Sequence, residues 1–76
     1  MHLVTAADKL HNVRSIIADQ RLHGDAAFER FIGGKDGTLW YYRAVAEVLR
    51  EQHATPLVEE LQRAVSEMYH LAEVVP

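Results

Sequence analysis

The stretch Thr55–Ala72, TPLVEELQRAVSEMYHLA, decides the fold class. Thr55 is a good helix N-cap, and Pro56 suits the first helical position, where a missing N–H costs nothing. From there Leu57, Val58, Leu61, Ala64, Val65, Met68, Leu71 and Ala72 return at helical spacing to one side. Glu59, Arg63, Ser66, Glu67 and His70 fall on the other. This is an amphipathic helix with one apolar face to bury. Met68 reads as core filler within it.

Working back from that helix, the same spacing predicts three more and no strand, so the chain reads as all-α with four helices. The first runs from about Leu3 to about Arg21 and stops at Gly24, with Leu3, Ala7, Leu10, Val13 and Ile17 as its core face. The second is short, Asp25 to Phe31, with Asp25 as N-cap and Gly33-Gly34 as stop. Phe28, Phe31 and Ile32 would anchor it. The third opens between Asp36 and Thr38 and ends near Gln52. Its apolar stripe is Tyr41, Ala44, Val45, Val48 and Leu49, with Trp40 closing the core edge and Arg43, Glu47 and Arg50 facing solvent. The loop Gly33–Gly37 turns tightly enough to bring Lys35 to an anion. It lacks the spacing and the trailing Lys-Ser/Thr pair of a P-loop.

Bulk properties narrow the function classes. At 76 residues the chain is one small domain, 1–76, and short chains bury a modest share of their surface. Eleven acidic against eight basic residues give a net charge of −3, which is not the footprint of a nucleic-acid or membrane-surface binder. With no cysteine, disulfides and thiolate metal sites are excluded. No apolar run reaches the roughly 20 residues of a membrane span, and no signal-peptide pattern opens the chain. A cytoplasmic location is expected.

The chemistry-bearing residues concentrate in Ala6–Ser15, AADKLHNVRS. Asp8 and Asn12 are one helical turn apart, with His11 and Ser15 in the same row and the apolar residues opposite. A carboxylate, an imidazole and a carboxamide on one turn make half of a metal or phosphate site. Lys9 and Arg14 can steer a phosphate or pair with acidic neighbours. Asn12 both donates and accepts, which suits a ribose or a base edge. Tyr41 reads equally as a ring for a purine and as core. His23, His53 and His70 have no partner at helical spacing and read as surface residues. No Ser-His-Asp, Cys-His or paired-carboxylate arrangement is present, so no catalytic residue is assigned.

The run Ala-Asp-Lys-Leu-His-Asn-Val-Arg, Ala7–Arg14, resembles the last motif of the HD-domain metal-dependent phosphohydrolases, in particular the RelA/SpoT-type (p)ppGpp hydrolase branch. The segment Gly33–Arg43, GGKDGTLWYYR, is similar to the one that follows in small bacterial members. The resemblance covers roughly residues 1–52. It implies that Asp8 is a metal ligand, for Mn²⁺ or another divalent ion, and that Asn12 contacts the nucleotide. It also implies that Tyr41, or in second place Tyr42, lines the nucleotide pocket. Lys35 and Lys9 are expected to meet phosphate, and His11 to pack or to support. The family's other metal ligands, a histidine and a His-Asp doublet, precede this motif, and no His-Asp doublet occurs in the chain. The expectation is therefore the C-terminal half of an HD domain, truncated or split, and inactive alone. The alternative is a non-catalytic helical module that oligomerises or binds a nucleotide or a protein. Either reading expects a homo-oligomer, through the last helix, or a second chain supplying the missing half.

Overall fold

In a computed structural model that describes the backbone of residues 3–73 and the side chains of residues 6–72, every regular element is helical. α1 spans Leu3–His23, a 3₁₀ turn spans Gly24–Phe28, α2 spans Gly34–Gln52 and α3 spans Pro56–Glu73. The all-α reading holds, with three α-helices in place of the expected four. The expected helix over Asp25–Phe31 is not α-helical: a 3₁₀ helix, Gly24–Phe28, stands in its place and ends three residues earlier. α1 runs on to His23, and Gly24 leaves it at φ 63°, a left-handed conformation that glycine adopts without a Cβ clash. α2 begins early, behind Gly33 at φ 91°. The segment between is too short to nucleate and extend an α-helical ladder. It tightens instead, with Glu29 N–H donating to Ala26 O and Phe31 N–H to Phe28 O, both at 3.1 Å. Asp25 caps nothing there; its carboxylate accepts from Lys35 Nζ at 3.0 Å.

Ion pairs give the direction of the helices. Arg14 pairs with Glu60, and Arg21 with Glu67, so an advance of seven on α1 (21 − 14) matches an advance of seven on α3 (67 − 60). α1 and α3 therefore run parallel. α2 and α3 run antiparallel: the turn after Gln52 is short, and Tyr69 Oη, late in α3, donates to Leu39 O, early in α2, at 2.8 Å. The N-cap of α3 forms as expected, Val58 N–H donating to Thr55 Oγ1 at 3.2 Å.

The core joins Leu10, Val13, Ile16 and Ile17 of α1 to Phe28, to Leu39, Tyr42 and Ala46 of α2, and to Leu61, Val65, Met68 and Ala72 of α3. α3 buries the stripe its sequence predicts. α1 is rotated slightly from expectation: Ala6 and Ile16 are buried and Ala7 is exposed, while the side chain of Leu3 lies outside the described residues. The larger correction is α2. Its core face is Thr38, Leu39, Tyr42 and Ala46, not the Tyr41–Val48 stripe. Trp40 is 69% exposed and closes no core edge. α2 carries two apolar faces, and the interior takes the one that α1 and α3 can both reach.

Candidate functional site

The first turns of α1 carry the polar row by simple periodicity. Leu10 and Val13 go into the core, so Asp8, His11 and Ser15 are exposed and Asn12 and Lys9 are half-buried. α2 then meets this ledge with two consecutive tyrosines. Tyr42 is buried and Tyr41 is 43% exposed, and their rings contact edge to face at 5.1 Å between centroids. Lys9 Nζ stands 5.5 Å from the centroid of the Tyr41 ring, within cation–π range. The ledge and the tyrosines thus form one patch at the α1–α2 junction.

The electrostatics of the patch are coupled. Hydrogen bonding with Tyr41 is the main reason that Lys9 sits above the ordinary lysine pKa; partial burial opposes it, and the electrostatics of both tyrosines and of Asp8 add to it. Burial pushes the Tyr42 hydroxyl above the ordinary tyrosine value. The charge of Lys9 and the Asn12 carboxamide pull it back, while Tyr41 and Asp8 push it up. The patch brings together an amino group, two phenolic hydroxyls, a carboxamide and a carboxyl group.

Beyond the tyrosines lies an open cleft of about 460 Å³, lined by Arg30, Phe31, Ile32, Gly37 and Thr38 as well as Tyr41 and Tyr42. Arg30 is paired with Asp19 and stacks over the Phe31 ring at 4.9 Å. A flat ligand entering this cleft would meet aromatic edges and a guanidinium.

The structure thus brings Asp8, Lys9, Asn12 and Tyr41 to one place. It takes Lys35 elsewhere: its ammonium donates to Asp25 Oδ2 at 3.0 Å and to Ala72 O, at the end of α3, at 3.1 Å. Its part is to tie the 3₁₀ turn to a helix C-terminus, where a cation is favourable. Arg30 belongs to no motif, and in the sequence only its neighbour Phe31 and the following glycines mark the segment. Among the described residues no three His, Asp or Glu side chains converge where a metal ion could sit. Asp8 alone does not fit a resident divalent ion, which needs several ligands.

No family model matches the chain, and neither a curated protein nor a solved structure matches it.

Proposed function

We propose that this chain is a helical half-site of HD type, related to (p)ppGpp hydrolases, that holds a guanosine polyphosphate without hydrolysing it alone. The observation that carries this reading is the convergence of Lys9 and Asn12 from α1 with Tyr41 and Tyr42 from α2 beside the Arg30 cleft. Tyr41 presents a ring for the base, and Lys9 a phosphate-seeking ammonium beside it. Asn12 supplies both a donor and an acceptor for the nucleoside. Arg30 offers a guanidinium, the group best suited to phosphate oxygens, once it releases Asp19.

Asp8 is the one carboxylate on this ledge. With Mn²⁺ the resemblance would make it a single ligand of a shell whose histidines and second aspartate come from another polypeptide. One carboxylate cannot retain the ion, so the isolated chain is not expected to turn over substrate.

Calorimetric titration with ppGpp, with and without Mn²⁺, tests the reading. Binding that weakens in Lys9→Ala and Tyr41→Ala supports it, as does the absence of tight Mn²⁺ uptake by wild type. No heat at high micromolar ppGpp would end it. Turnover by the chain alone that Asp8→Ala abolishes would replace it with a working enzyme.

A further inference from the structure

Arg14, at the end of the polar stretch on α1, pairs with Glu60 of α3 and lines a second groove, of about 410 Å³, between α1 and α3. Three guanidiniums line it, those of Arg14, Arg21 and Arg63. The two ion pairs that tie the helices fix where each stands. Arg14 with Glu60 and Arg21 with Glu67 share an offset of 46 residues, which sets Arg63 and Ala64 level with Ile17 and Ala18. Arg63 therefore stands midway between the two pairs. From Arg14 to Arg21 the helix axis advances about 10.5 Å. The small side chains of Ala18 and Ala64 leave the floor between the arginines open.

These guanidiniums keep donors to spare. Arg63 has no ion-pair partner among the described residues. Arg14 and Arg21 each meet their glutamate through Nη2, which leaves Nε and Nη1 for a second acceptor. Both pairs are exposed to solvent, so a better acceptor can displace the carboxylates. Three arginines against two glutamates leave the groove one positive charge, in a chain whose net charge is −3.

We propose that this groove takes a compact anion with two linked phosphates, a diphosphate group, held by Arg63 at its centre and by Arg14 and Arg21 at its ends. The planar fork of a guanidinium matches phosphate oxygens two at a time. Linked phosphates spread such oxygens along the helix axis, where a single phosphate offers them at one point. Glu60 and Glu67 compete with the ligand for Arg14 and Arg21 and so hold its affinity down. The groove shares no residue with the α1–α2 ledge, and the proposal does not rest on the reading of that ledge.

Calorimetric titration of the full chain with inorganic pyrophosphate at low ionic strength tests this. Binding is expected, weaker for orthophosphate and weaker as salt is added. Arg63→Gln should weaken it at least about fivefold, and the Glu60→Gln, Glu67→Gln double variant should tighten it by a similar factor. Arg63→Gln breaks no ion pair, and a gain of affinity in the double variant is not something a damaged fold can produce. Lys9→Ala, which alters the ledge alone, should leave pyrophosphate binding unchanged. The proposal is overturned by an absence of binding, by orthophosphate binding as tightly, by indifference to Arg63→Gln, by weaker binding in the glutamate double variant, or by loss of binding in Lys9→Ala.

Discussion

Gln20 sits where α1 faces the last turns of α3, with its amide Nε2 donating to Met68 O at 3.0 Å and its Oε1 buried without a partner. The desolvation of that oxygen is uncompensated, whereas the Met68 carbonyl keeps its place in the helical ladder. Gln20→Met retains the stem and removes both polar groups. It is expected to leave stability unchanged or raise it by about 1 kcal/mol, read as a higher denaturant midpoint at constant m-value. A marked loss would mean that the amide is needed to hold α1 in register. Lys35 makes the opposite case, since both of its partners are satisfied. Lys35→Met keeps the aliphatic stem but frees Asp25 and the end of α3, at an expected cost of about 1 kcal/mol in thermal melts. An unchanged melting temperature would show that the tie is idle. The two raised pKa values carry a pH signature. Lys9 and Tyr42 both hold their protons more tightly when folded than when unfolded. Their contribution is fully present below the unfolded values and is lost as pH rises through the folded ones, above about pH 10. The melting temperature should fall there, and the fall should be shallower in the Lys9→Met, Tyr42→Phe double variant.

At the scale of elements, the 3₁₀ turn matters more than its length indicates, because Phe28 on it is 1% exposed and belongs to the central cluster. Phe28→Ala is expected to cost about 3–5 kcal/mol, which is comparable to the whole stability of a small domain. Circular dichroism should show a largely unfolded chain; a folded variant would mean that the turn is dispensable. Legibility in the sequence followed the same lines. α3 was readable because its apolar residues lie on one side only and Thr55-Pro56 announces its start. α2 was not, because Leu39, Tyr42 and Ala46 compete with Tyr41, Ala44, Val45 and Val48, and periodicity alone cannot rank two faces of one helix. Asp25 looks like a cap, so the sequence of the turn reads as a longer helix than the 3₁₀ segment that forms. Only the early exit at Gly24 and the early start at Gly34 reveal that there is no room. In the candidate site, spacing placed Asp8, Lys9 and Asn12 on one face. Arg30 and the parting of Lys35 from that face depend on how the turn folds back, which no local pattern encodes.

For the whole molecule, the parallel run of α1 beside α3 has a kinetic consequence. α2 and α3 are joined by a short turn, so their hairpin closes a small loop. The pairs that fix α1, Arg14 with Glu60 and Arg21 with Glu67, each close a separation of 46 residues. Closing the longer loop costs more chain entropy and gains its contacts only once α3 is in place. The topology predicts an order of assembly, with the hairpin as nucleus and α1 arriving after the barrier. Truncating Val13, which α1 buries completely, should then speed unfolding and leave the folding rate nearly untouched, whereas truncating Leu61 should slow folding. The ledge bearing Asp8 and Asn12 would be the last part of the protein to form and the first to come away. The candidate site would then form only as α1 docks on α2 and α3.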